Sequence, residues 1–140
     1  MERLSIPEYA ITIAKAAAKR SEDPYLKVGC CVLNKQGRVL ATGYNGLKAK
    51  KQVTNDFWAD REWRRKFCLH SEINAFSLIS IHENPFIIGI THSPCSSCAA
   101  AIVANGIEQV YYEEEYHREQ EFKEIFDFYN IEYSIVKIKE

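Results

Sequence analysis

Long apolar runs are missing from this chain of 140 residues. The longest, Phe86 to Ile90 and Ala99 to Ala104, fall well short of the ~20 residues that a bilayer-spanning helix needs. The start of the chain lacks a charged stretch followed by an apolar region, the mark of a secretory leader, so a soluble, cytoplasmic protein without membrane contact is expected. Glycine (6) and proline (4) are sparse, and no linker, repeat or low-complexity tract breaks the chain, which reads as a single domain over 1–140. An excess of either charge is lacking, with 18 basic against 19 acidic residues and a formal net charge of -1. Five cysteines, an odd number, argue against a disulfide framework and for a reducing compartment. At 46% hydrophobic and 26% charged residues, the chain can bury a core without covalent staples.

The chemistry-bearing residues are concentrated in two short motifs. His70-Ser71-Glu72 is followed, twenty-two residues after the glutamate, by Pro94-Cys95-Ser96-Ser97-Cys98. One imidazole and two thiolates make three zinc ligands, and a tetrahedral zinc with three protein ligands keeps a fourth position for water, as catalytic sites do. Cys95 and Cys98, three apart, share a face if a helix opens near Pro94, and the positive end of that helix favours thiolate over thiol. His70 and Glu72, two apart, do not share a helical face, which puts Glu72 beside the metal and not on it. There a carboxylate can move protons between water, base and leaving amine, a contribution of about 10²–10⁴-fold. Taken singly, each part has a plainer reading. C-x-x-C is also a redox pair or half of a structural zinc site, His70 an ordinary half-buried histidine, and Glu72 a solvated acid at a helix start.

Periodicity places the motifs on a fold. Ser5-Ile6-Pro7-Glu8 has the capping-box pattern and opens a helix to about Arg20, with Ile6, Tyr9, Ala10, Ile13, Ala14 and Ala17 as its apolar stripe. Val28 to Leu33 and Arg38 to Tyr44 read as a hairpin across Asn34-Lys35-Gln36-Gly37. A polar stretch runs to about Leu69. Then follow a helix from Ser71 to about Ile81, a strand from Phe86 to Thr91, a helix from Ser96 to Ala104, a strand from Glu108 to Tyr112, a helix from His117 to Phe128 and a strand from Ile131 to Lys137. The alternating second half implies right-handed crossovers and parallel strands, joined to the antiparallel hairpin. The expected architecture is an α/β fold with a mixed five-stranded sheet, its site at the carboxyl ends of strands.

H-x-E with P-C-x-x-C is the signature of zinc nucleobase deaminases. With Ser21-Glu22-Asp23-Pro24, Val28-Gly29, Gly43-Tyr44-Asn45-Gly46, His70 to Ala75 and Tyr116-His117 in the same order, nearly the whole chain resembles deoxycytidylate deaminases. The resemblance implies a cytidine deaminase-like three-layer α/β/α sandwich, Zn2+ as cofactor, and hydrolysis of dCMP to dUMP and ammonia for thymidylate synthesis. It also implies a homo-oligomer, a hexamer. By the same resemblance His70, Cys95 and Cys98 hold the metal, Glu72 is catalytic, Asn45 meets a sugar hydroxyl and Tyr116 closes over the substrate near its phosphate. Ser21 and Lys27 are assigned to the 5′-phosphate. The chain departs from the family pattern at Leu26, where a small polar or basic residue is common, at Ser71, where alanine is common, and at His92 and Ser93, where apolar residues are usual.

Charge is uneven despite the near-neutral total. Lys48, Lys50, Lys51, Arg61, Arg64, Arg65 and Lys66 outnumber Asp56, Asp60 and Glu62 between Leu47 and Phe67, a segment that also bears Trp58 and Trp63. Deoxycytidylate deaminases are often activated by dCTP and inhibited by dTTP, so Gly43, Tyr44, Gly46, Lys48, Arg64 and Arg65 are assigned to such an effector, a solvated helix being the plainer reading. Glu113, Glu114, Glu115, Glu119, Glu121 and Glu124 form an acidic face that disfavours nucleic acid on that side. Two other readings stay open at this point. A tRNA or single-stranded DNA base could be the substrate. Alternatively Cys30, Cys31, Cys68 or His92 could complete a closed structural zinc shell in a non-catalytic protein, although the three cysteines read first as small buried apolar residues.

Overall fold

The computed structural model describes residues 2–138. Helix α1, Ile6–Ala18, opens on the expected capping box: Ser5 Oγ accepts from Glu8 N–H and Glu8 Oε1 accepts from Ser5 N–H. Its buried face is Ala10, Ile11, Ala14 and Ala18, a step round from the predicted stripe, so Ile6 and Tyr9 stay exposed. Small side chains on this face let the helix sit close on the sheet, and a Cβ on Gly89 would collide with Ala10.

Strands β1 (Gly29–Asn34) and β2 (Val39–Tyr44) form the hairpin. Asn34 Oδ1 accepts from Gln36 and Arg38 N–H, and Gly37 takes the positive φ of 82° that the turn requires. Strands β3 (Pro85–His92), β4 (Gln109–Glu114) and β5 (Glu132–Ile135) complete a five-stranded sheet of order β2-β1-β3-β4-β5. β1 is antiparallel to both β2 and β3, whereas β3, β4 and β5 run parallel.

The period-2 alternation of β1 sorts two cores. Cys31 and Leu33 face α1 with Ala10, Ala14 and Ile87. Cys30 and Val32 face the opposite layer, built by α4 (Ser71–Phe76), α5 (Ser96–Ala104) and α6 (Glu121–Phe128), whose Ala75, Ala99, Ile102, Phe122 and Phe126 fill that side. This is a three-layer α/β/α sandwich. Two predicted helices are shorter than expected: α4 stops at Phe76, leaving a 3₁₀ turn at Ile81–Glu83, and α6 begins at Glu121 instead of His117.

The polar stretch before Leu69 holds two short helices, α2 (Asp56–Ala59) and α3 (Arg61–Arg65). Gly46 and Leu69 exchange two backbone hydrogen bonds, of 3.0 and 2.7 Å, so the segment leaves and rejoins the fold at one point. Between residues 47 and 69 its one buried residue is Arg64. Among the described residues no helix is long and apolar enough to cross a membrane.

Candidate active site

Both motifs occupy helix starts. His70 is the N-cap of α4 and Cys95 the N-cap of α5, each in extended backbone geometry, with Pro94 fully buried before Cys95. A close approach seats α4 against β2, and Asn74 Nδ2 donates to the Tyr44 carbonyl at 2.8 Å. A Cβ on Gly43 would overlap the Ser71 carbonyl oxygen and stand 2.8 Å from Ala75 N, so only glycine lets the helix seat there. Cys30 Sγ donates to that same Ser71 carbonyl at 3.3 Å.

The three donors converge. His70 Nδ1 lies 3.5 Å from Cys95 Sγ and 3.2 Å from Cys98 Sγ, and all three ligand atoms lie within 4.8 Å of one another. Tetrahedral zinc with ordinary Zn–S and Zn–N lengths needs N···S separations of about 3.6 Å, so the donor set fits that ion through Nδ1. The electrostatics favour metal as well. Cys98 donating to Cys95 pulls the Cys95 thiol down to about 4, helped by His70. The same shared proton pushes Cys98 up, with burial adding to it, and His70 is raised by Cys95. These are two sulfurs sharing one proton beside an imidazole, an arrangement that a divalent cation completes. Among the described residues no fourth histidine, cysteine or carboxylate joins the group. Cys30 and Cys31 are buried in the core, Cys68 lies elsewhere, and His92 Nδ1 pairs with Thr91 Oγ1 at 3.0 Å, so the closed structural shell does not form.

Glu72 is buried beside this set, and its carboxyl is raised by burial, partly offset by Ser71 Oγ donating to Oε1 at 2.6 Å. It faces a cavity of about 190 Å³ that also receives His70 and Cys95. Leu26, Val28, His92 and Pro94 make its largely apolar wall, while Asn45, Arg65, Tyr116 and Glu119 stand around it. Tyr116 is held from both sides: its N–H donates to Ser93 Oγ at 2.7 Å and its hydroxyl accepts from Arg61 Nη2 at 3.2 Å.

Other expected site residues are placed differently. Asn45 lines the cavity, but its amide is a brace, Oδ1 accepting from Val28 N–H at 2.8 Å and Nδ2 donating to the Leu26 carbonyl at 2.9 Å. Ser21 is buried, with Oγ donating to the Asn45 carbonyl at 2.8 Å, and Lys27 Nζ donates to the Ser21 carbonyl; neither lines the cavity. Arg64 is not a surface cation: it is buried, 2.9 Å from Asp23 Oδ2, and stacks on Tyr25. Arg65 lines the site cavity. Gly43, Tyr44 and Lys48 do border a separate groove of about 530 Å³, whereas Gly46 is packed against Glu22.

Sequence reasoning took Glu119 only as part of an acidic face, whereas its Oε1 accepts from Ser96 N–H at 2.7 Å at the start of α5, and it passed over Arg118, which stands beside it. Neither belongs to a spaced motif. The adjacency of Arg118 to Tyr116-His117 was the one available signal.

Fold and site together define a zinc-dependent deaminase domain. Residues 4–114 match the family model described as "Cytidine and deoxycytidylate deaminase zinc-binding region", and the chain belongs to that family. Deoxycytidylate deaminase of Mus musculus is 29% identical over 130 residues, covering 84% of this chain and 70% of that protein. ComE operon protein 2 of Bacillus subtilis is 32% identical over 133 residues, covering 91% of this chain and 69% of that one. The crystal structure of dCMP deaminase from the cyanophage S-TIM5, in complex with dCMP and dUMP, superposes with a TM-score of 0.76 at 25% identity, covering 97% of this chain and 100% of that one.

Proposed function

We propose that this chain, as a single catalytic domain, hydrolyses dCMP to dUMP and ammonia. The observation that carries the reading is the grouping of His70, Cys95 and Cys98 with the buried Glu72 in one cavity. Support for the substrate comes from the deoxycytidylate deaminase relatives and from the similarity to a structure that holds dCMP and dUMP. His70 Nδ1 and the two sulfurs would hold zinc, which when bound would supply Lewis-acid activation of water at neutral pH. Glu72 takes one proton from the attacking water and passes it to the ring nitrogen, then takes the second from the resulting hydroxyl and hands it to the amine as the C–N bond breaks and ammonia leaves. Burial suits it, because a carboxyl raised above its ordinary range is the stronger base for taking a proton from water. Asn45 braces the loop against which the sugar rests, and Tyr116 covers the outer part of the substrate.

The groove beside β2, with Arg20, Lys48, Lys50 and Lys51 around Tyr44, supports an effector site for dCTP and dTTP on the far side of the hairpin. Exposed Ile73, Leu78 and Ile81 support a homo-oligomer, a hexamer by resemblance, and five free cysteines support the cytoplasm. Ammonia release from dCMP, dCTP, CMP and deoxycytidine, with and without dCTP or dTTP as effector, tests the reading. The highest kcat/KM is expected on dCMP, with activation by dCTP and inhibition by dTTP. Best turnover on the free nucleoside overturns the substrate, and indifference to both triphosphates removes the effector site.

A further inference from the structure

Serine stands where alanine is common in the family, between His70 and Glu72, and the exchange puts a hydroxyl on the carboxylate. Ser71 Oγ donates to Glu72 Oε1 at 2.6 Å, with Ser71 1% and Glu72 4% exposed. Resting on the proton-carrier role given to Glu72 above, we propose that Ser71 is a positioning residue, whose hydroxyl presets the Glu72 carboxylate for proton transfer before substrate enters.

The contact has the length of a charge-assisted O–H···O⁻ bond, about 2.5–2.7 Å. Serine hydroxyls near a helix start commonly turn back on the backbone. Here the hydroxyl is turned to a side chain instead, and Ser71 is so closed to solvent that its one proton is committed to Glu72. The last torsion of a glutamate is broad and only weakly restrained by its own sterics. A hydrogen bond to one oxygen fixes the plane of the carboxylate and makes its two oxygens unlike: Oε1 gives a lone pair to Ser71, and Oε2 is left the stronger base. Both residues line the cavity that His70 and Cys95 share, so the fixed group stands where the reaction occurs.

The holder is itself held. Gly43 brings β2 onto the Ser71 carbonyl, Cys30 Sγ of β1 donates to that carbonyl at 3.3 Å, and Asn74 Nδ2 ties the next turn of α4 to the Tyr44 carbonyl at 2.8 Å. The hydroxyl is therefore delivered from the sheet, as a preset site requires. Such precision matters, since a misplacement of about 1 Å can cost about 10²-fold in rate. Alanine at position 71 keeps all three of these ties, which use backbone carbonyls and other side chains, and loses only the donor.

The test is a kinetic cycle of Ser71→Ala, Glu72→Gln and the double variant, with zinc content and circular dichroism recorded. Ser71→Ala introduces the residue common in the family and should fold and load zinc as wild type does. Its kcat on dCMP is expected to fall about 10-fold with KM changed by no more than about twofold, because a hydrogen bond to a charged group is lost while substrate binding is not. In the Glu72→Gln background the same change should cost about twofold or less, since the carboxylate through which Ser71 acts is gone. An unchanged kcat, a loss carried by KM, or an equal loss in both backgrounds overturns the proposal. Crystal structures of zinc-loaded wild type and Ser71→Ala supply a readout free of turnover: one Glu72 orientation on Ser71 is expected in the first, and a displaced or split carboxylate in the second. If wild type releases no ammonia from dCMP, or Glu72→Gln is as fast as wild type, the role of Glu72 in dCMP deamination fails by itself. The pair of structures then decides: a carboxylate that leaves its place in Ser71→Ala upholds the positioning role, and an identical orientation in both ends it.

Discussion

Arg64 Nη1 lies 2.9 Å from Asp23 Oδ2, with both side chains buried, and this ion pair fastens the 47–69 segment to the loop after α1. Asp23 Oδ1 also accepts from Tyr25 and Leu26 N–H, so one carboxylate organises the loop under the site while its other oxygen holds α3. Arg64 Nε finds no hydrogen-bond partner, which makes the guanidinium depend further on Asp23 and on the face of Tyr25, 4.3 Å away. Breaking such a pair from one side strands a buried charge. Arg64→Ala is therefore expected to cost about 3–5 kcal/mol in urea unfolding, and Arg64→Lys should recover little, lacking the fork and the flat stacking surface.

Glu72→Gln should keep one zinc per chain and an unchanged fold, because Gln fills the same space and the metal does not use this side chain. Turnover should drop by about 10²–10⁴-fold or more. Retained activity above a tenth of wild type would remove Glu72 from proton transfer.

Cobalt substitution reads the coordination directly. Two sulfurs, one nitrogen and an exchangeable water are expected in the absorption spectrum, and Cys98→Ser should weaken the thiolate charge-transfer band and lower metal affinity. A third sulfur would reinstate a closed structural shell. Removal of the metal with a chelator should abolish activity and lower the melting temperature, with zinc restoring both.

Gly43→Ala tests the seating of α4. The added methyl meets the Ser71 carbonyl and the Ala75 backbone, so α4 must shift and carry His70 and Glu72 with it. Loss of stability by about 1–3 kcal/mol, as overpacking costs, should accompany weaker zinc binding. An unfolding midpoint and zinc affinity equal to wild type would contradict the close approach.

Burial raises the Cys31 thiol from 9.0 to about 12. The folded state holds it neutral while the unfolded chain ionises it, so the stability it contributes is complete below pH 9 and is lost as pH rises towards 12. Between those limits the slope is about 1.4 kcal/mol per pH unit. Thermal unfolding across this range should show Cys31→Val losing stability less steeply than wild type.

Much of the fold was legible because α1, the hairpin and the strand-helix alternation each rest on a local pattern: a capping box, an Asn-to-Gly turn, short apolar runs. The phase of α1 was not, because Ile6 and Tyr9 look like core residues until the small face is seen, Ala10 against Gly89 and Ala14 against Gly29. The end of α4 was misread for a related reason. Leu78 and Ile81 are apolar yet exposed, and hydrophobicity carries no information about where a helix stops. At the site, His70, Cys95 and Cys98 were readable from the combination of their two motifs and come together. Ser21 and Lys27 were assigned from the resemblance and Arg64 by its charge, but hydroxyl, ammonium and guanidinium serve equally well as internal braces. Only the partners, Asn45, the Ser21 carbonyl and Asp23, reveal the difference.

The two backbone hydrogen bonds between Gly46 and Leu69 turn the intervening chain into a loop tied off at its neck. Its length and contents can change while the strands stay where they are, provided the knot and the Asp23 anchor survive. Exchanging this tied-off stretch between homologous enzymes is thus a route to moving ligand preference as a cassette, with the metal and its proton carrier left untouched.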